Sequence, residues 1–205
     1  MLAIGDSHIK MFAQVPLVTS IISVPGATAY GLANKNSLTS ASKTFTESLG
    51  QETTIISCLG EVDCNVLYWR MSDRCGIRLT TFLSKAISHY FDFLDSLKRN
   101  VIVCTIPLPV IDNYSNGAYS LRNCKPRADI KANKKERTEV VNLFNAMLES
   151  NCAMCNMSLL NYIPDISNGK SLRMNYAKSP DDSHLDPVKV GPILTKHLEA
   201  LISDL

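Results

Sequence analysis

Met1-Leu2-Ala3-Ile4-Gly5-Asp6-Ser7-His8 opens the chain, and the reading of this stretch decides the fold. Four apolar residues form a short strand, the glycine gives a tight turn, and Ile9-Lys10-Met11-Phe12 begins a helix. Such a junction delivers the Ser7 hydroxyl to the edge of a sheet. It also aims the first N–H groups of the helix, which have no partner within it, at whatever the serine attacks. A serine hydroxyl alone is a weak nucleophile and needs a base oriented by a carboxylate. Asp181-Asp182-Ser183-His184, near the other end, contains both.

Between these two tetrads, short apolar runs alternate with amphipathic stretches. After residues 1–4 the runs cover 18–24, closed by Pro25-Gly26, then 53–59, closed by Gly60. Two more cover 101–106, stopped by Pro107, and 158–163, stopped by Pro164. Continuous apolar runs of this length suit parallel strands with helices on both faces. The helical faces are clear at Leu79, Phe82, Leu83, Ala86, Ile87, Tyr90, Phe91 and Leu94, and again at Val140, Val141, Phe144, Met147 and Leu148. Val190, Ile193, Leu194, Leu198, Leu201 and Ile202 trace the last one. The less regular stretch 28–49 is also read as helix. The pattern therefore predicts an α/β domain with a five-stranded parallel sheet, spanning residues 1–205 as one unit.

On that assignment Ser7 follows strand one, Gly26 strand two and Gly60 strand three. A long polar connection, 108–129, follows strand four, and Asp181 and His184 follow strand five. All lie at the carboxyl ends of parallel strands, the edge where open α/β sheets bind ligands. The long connection holds Asn113, Asn116-Gly117 and Pro126. Lys125, Arg127, Lys131, Lys134, Lys135 and Arg137 make its end basic, which fits a solvated helix face or an anionic substrate.

Composition narrows the function classes. Apolar residues make up 45% and charged residues 20%, the balance of a globular chain, and a net charge of +2 argues against a nucleic-acid partner. No apolar run approaches the ~20 residues of a membrane span, and no secretory signal is visible, so a cytoplasmic location is expected. Seven cysteines, an odd number, suit a reducing compartment. Cys58 and Cys104 read as small buried residues. Cys152-Ala153-Met154-Cys155 reads as a helix end rather than half of a zinc site, because no second such pair exists. Neither a metal nor an organic cofactor is signalled. His89 and His197 fall on or beside apolar helix faces and read as packed residues. His8 either contacts substrate or bonds a local carbonyl.

Taken in order, Gly5-Asp6-Ser7, the isolated Gly26 and Asp181-x-x-His184 resemble the first, second and fifth sequence blocks of the SGNH/GDSL hydrolases. The resemblance spans nearly the whole chain and implies a flavodoxin-like, three-layer α/β/α sandwich. A G-x-S-x-G elbow, the mark of ordinary α/β-hydrolases, is absent from the sequence. The resemblance implies Ser7 as nucleophile, His184 as general base and Asp181 as the carboxylate that orients it. Asp182 is adjacent, but Asp181 matches the family position three before the histidine. The N–H groups of Ser7 and Gly26 would hold the oxyanion. The third block departs from the family: Gly60-Glu61-Val62-Asp63-Cys64-Asn65 places valine where an asparagine donor usually stands. Asn65 either supplies that donor or caps a turn. Asp6, Glu61 and Asp63 are candidate substrate contacts, the last two being alternatively loop anchors. A block of this type resembles one found in bacterial members linked to surface polysaccharide. The expected activity is hydrolysis of an O-acetyl or similar ester on a carbohydrate. An acyltransferase on a sugar, a carbohydrate binder that has lost turnover, and a phosphate-binding flavodoxin-like module are the rivals.

Overall fold

Five short strands run parallel in one sheet: β1 (Leu2–Gly5), β2 (Ser20–Ser23), β3 (Thr54–Cys58), β4 (Asn100–Cys104) and β5 (Ser158–Leu160). Their spatial order is β2-β1-β3-β4-β5. This is a computed structural model, and it describes residues 1–51, 54–112 and 129–203. The helices are α1 (Ala41–Glu47), α2 (Tyr68–Cys75), α3 (Leu79–Ser96), α4 (Lys134–Cys155), α5 (Ile163–Ile166) and α6 (Pro187–Ser203). The expected α/β architecture with five parallel strands is thus observed.

The chain steps from β1 to β2 in one direction, then returns past β1 to add β3, β4 and β5 in the other. Parallel crossovers are right-handed, so this reversal sends the connecting segments to opposite faces of the sheet. Accordingly α3 packs on α4, while α6 packs on the 3-10 helix Ser7–Gln14 that follows β1. The apolar faces read from the sequence are the core: Phe82, Leu83, Ala86, Tyr90, Leu94, Phe144, Leu148, Leu194 and Leu198 are all buried. The reversal also makes a crevice where the carboxyl ends of β1 and β3 diverge.

Two glycines make that crevice possible. A Cβ on Gly5 would lie 2.3 Å from the Cys58 carbonyl oxygen, so β1 can lie this close to the end of β3 only without a side chain. Gly60 has φ +127°, and a Cβ there would lie 2.3 Å from the Phe144 ring. Backbone strain and overpacking then act together, and Gly60→Ala is expected to cost about 2–5 kcal/mol in chemical denaturation.

Three expectations change. The stretch 28–49 is not one helix but a 3-10 turn at Tyr30–Ala33 followed by α1. Polar side chains interrupt it; Asn34 Oδ1, for one, accepts the Asn36 backbone N–H at 3.0 Å. Residues 63–75, to which the apolar pattern assigned no helix, form a π-helical turn, Asp63–Leu67, that runs into α2. Arg137 does not lie on a solvated face. It is fully buried, and its guanidinium donates to the carbonyls of Ile111, Asp112 and Ala132 and to Asn65 Oδ1, tying down the start of the β4–α4 connection. Asn113, Asn116-Gly117, Lys125, Pro126 and Arg127 lie outside the described residues. Cys152 and Cys155 end α4, the first buried and the second exposed.

Candidate active site

At the end of β1 the chain turns through Asp6, whose carboxylate caps the 3-10 helix by accepting the His8 backbone N–H at 2.8 Å. Ser7 is therefore the first residue of that helix, and its N–H has no partner within the helix. Ser23, at the end of β2, donates its hydroxyl to the Asp6 carbonyl at 3.1 Å and fixes the turn from the other side.

The opposite wall is a narrow loop between β5 and α6. Ala177 bridges Leu185, the Lys178 N–H donates to the His184 carbonyl at 3.0 Å, and the Asp182 N–H donates to the Ser179 carbonyl at 3.2 Å. This loop carries the His184 imidazole to the serine: Nε2 lies 2.8 Å from Ser7 Oγ. Nδ1 of the same ring lies 2.5 Å from Asp182 Oδ1, which also accepts the His184 backbone N–H at 2.9 Å.

The carboxylate against the His184 ring is thus Asp182, whereas Asp181 is exposed at the tip of the loop. The reason is local. A carboxylate that accepts the N–H two residues on forms an Asx turn, which places it on the same side as the imidazole. Asp6-Ser7-His8 has the same arrangement, with Asp6 Oδ1 also 3.2 Å from His8 Nδ1. The repeated Asp-Ser-His is a signal from which the right aspartate could have been read.

Electrostatics suit a neutral base. Burial lowers the His184 pKa below its ordinary value and the nearby His8 charge lowers it further, against the pull of Asp182 and Glu61. Burial raises the Asp182 carboxyl, but the backbone and ring N–H groups of His184 outweigh it and leave it below the usual carboxylate range.

The third block is tied into the wall of the crevice. Asp63 is fully buried, and its two oxygens accept the N–H groups of Ala29 (2.7 Å) and Tyr30 (2.9 Å). It anchors the loop that begins at Gly26, and His89 holds the same loop through the Tyr30 carbonyl at 2.8 Å. Burial pushes the Asp63 carboxyl up to about 7, the two amides pulling the other way. Above that pH both oxygens are acceptors. Asp63→Asn then sets an amide N–H against a backbone N–H, with an expected loss of about 1–3 kcal/mol in denaturation at pH 8.

Asn65 is buried within the π-helical turn, donating Nδ2 to the Glu61 carbonyl at 3.2 Å while Oδ1 faces Arg137. Both of its amide atoms are therefore engaged by protein groups in this structure. Asp6 and Glu61 are also buried, beside His8, so all three carboxylates expected to contact substrate, Asp6, Glu61 and Asp63, are turned into the protein. Val62 lines a groove together with Gly26, whose φ of +78° sets the turn after β2. His197 pairs with Asp165 at 2.6 Å on the surface. Among the described residues, Asp6, His8 and Glu61 are the one grouping of such side chains whose ligand atoms all lie within 4.8 Å of one another. A cavity of about 270 Å³ opens over Ser7 and His184, flanked by Lys10, Met11, Lys178 and Pro187.

No family model matches the sequence, and no curated protein matches it. Solved structures do. A protein from Bacteroides fragilis described as an acylhydrolase superposes with a TM-score of 0.61 at 12% identity, over 99% of this chain and 86% of that one. A GDSL-like lipase from Bacteroides thetaiotaomicron gives 0.53 at 16%, over 99% and 85%. An acetyl xylan esterase gives 0.52 at 12%, over 98% and 100%. The β2-β1-β3-β4-β5 parallel sheet, with a serine after its first strand facing a histidine before its last helix, is thus the SGNH/GDSL hydrolase fold.

Proposed function

We propose that the protein is a serine ester hydrolase that removes O-acetyl or similar acyl groups from a carbohydrate. The observation that carries this reading is the unbroken chain from Ser7 Oγ through the His184 imidazole to the Asp182 carboxylate, at 2.8 and 2.5 Å. Ser7 attacks the ester carbonyl as His184 Nε2 takes the hydroxyl proton, and the N–H groups of Ser7 and Gly26 receive the oxyanion. His184 returns the proton to the departing alcohol. Water then attacks the acyl-serine by the same route and frees the acid. With valine at position 62, the third block offers no side-chain donor where the family usually has an asparagine.

A carbohydrate substrate is supported by the groove beside Gly26, about 500 Å³, lined by Thr28, Tyr30, Asn34, Asn36 and Thr39 together with the apolar Val62 and Met71. Hydroxyl and amide groups mixed with apolar side chains suit the hydroxyls and the C–H faces of a sugar ring. The acetyl xylan esterase among the structural neighbours points the same way. No helix among the described residues is long and apolar enough to cross a membrane.

Labelling with a fluorophosphonate probe tests the mechanism. Covalent modification confined to Ser7 supports it, and an unmodified protein between pH 6 and 9 overturns it. Acetate release from acetylated oligosaccharides, compared with cleavage of long-chain acyl esters, tests the substrate class. Preference for the long-chain esters would refute the carbohydrate reading.

A further inference from the structure

His8 sits directly behind the base. Its ring stacks on that of His184 with centroids 4.4 Å apart and planes 20° from parallel. Nε2 lies 3.2 Å from the Ser183 carbonyl oxygen, which can only accept, so this nitrogen carries a proton. Nδ1 lies 3.2 Å from Asp6 Oδ1 and 3.6 Å from Glu61 Oε2. Asp6 Oδ1 is already an acceptor, for the His8 backbone N–H, so the second ring nitrogen also faces an acceptor. The Asp6 and Glu61 side chains are only 1% and 4% exposed, and no hydrogen bond from the described residues reaches the buried Asp6 Oδ2.

With an acceptor at each ring nitrogen, we propose that His8 is a doubly protonated imidazolium beside Asp6 and Glu61, and that it is a positioning residue for the base. Through Nε2 it holds the Ser183–His184 backbone at the serine, and by stacking it fixes the plane of the catalytic ring. Its charge opposes a second charge 4.4 Å away, so His184 stays a free base to lower pH than an isolated histidine would. The nearby charge of His8 is, after burial, the largest cause lowering the His184 pKa. Among the described residues, Asp182 from the loop before α6 also faces the His184 ring, Lys178 lies 3.9 Å from Asp182, and Lys10 from the 3-10 helix lines the same cavity. Asp63, Cys58 and Tyr162 lie close enough to Asp6 to feel its charge. The catalytic meaning of this arrangement rests on the hydrolase reading; the charge state of His8 does not.

The test is nitrogen NMR of the full chain labelled at histidine. Both ring nitrogens of His8 are expected to be protonated at pH 7.5; a neutral tautomer overturns the proposal. In His8→Gln the His184 titration, and with it the acid limb of kcat/KM, should move upward by about one pH unit. A lower kcat with the His184 titration unmoved would mean that His8 is only packing, and would equally overturn it. The charge state is read on the unaltered protein, so it is decided even if the variant does not fold. A charged His8 together with an unlabelled Ser7 would sink the hydrolase reading alone.

Discussion

Asp182→Asn should lower kcat/KM on small acetyl esters by on the order of 10⁴-fold, whereas Asp181→Asn should stay within about twofold of the unaltered protein. The asymmetry follows from geometry. Asp182 Oδ1 holds both the backbone N–H and Nδ1 of His184, while Asp181 is exposed at the loop tip. An asparagine at 182 keeps an acceptor for the backbone N–H, so the turn survives. Its amide can also donate to Nδ1, which favours the tautomer with the proton on Nε2. That nitrogen would then face Ser7 Oγ as a donor and could not take its proton. Steady-state kinetics on both variants, with melting temperatures beside them, check this. Equal losses in the two would refute the assignment.

Ser7→Ala should remove at least as much activity, again on the order of 10⁴-fold or more, and abolish fluorophosphonate labelling with little change in melting temperature. The hydroxyl faces the cavity and bonds His184, so its loss leaves no hole in the core. The unaltered protein should show a matching pH signature. A general base must be neutral to act, so kcat/KM rises with pH through the His184 titration. Because burial and His8 lower that titration, the acid limb is expected below the ordinary histidine value of about 6.5. An acid limb above 7 would contradict it.

Much of the fold was legible because strands and helices announce themselves through local periodicity. The apolar runs at 18–24, 53–59 and 158–163 contain β2, β3 and β5, those at 1–4 and 101–106 overlap β1 and β4, and the faces of α3, α4 and α6 are largely core as read, Ile202 being exposed. The stretch 28–49 misled because its apolar spacing resembles a helix while its asparagines and serines bond their own backbone. The π-helical turn at 63–67 has a period that no α-helical pattern marks. Arg137 looked solvated because burial of a guanidinium depends on carbonyls from a connection distant in sequence.

Ser7 and His184 could be paired from their blocks, since each is fixed by a local turn at the end of a strand. Spacing alone favoured Asp181, whereas the path of one loop brings Asp182 to the His184 ring. Asp6, Glu61, Asp63 and Asn65 looked like site residues because they are polar and flank the glycines. Tertiary structure turned them inward, where each satisfies an amide, a carbonyl or the His8 ring. The order of residues by itself determined which elements form and which edge of the sheet carries chemistry. The three-dimensional chain decided which polar groups on that edge remain available, because unpaired polar atoms are costly once the crevice closes over them.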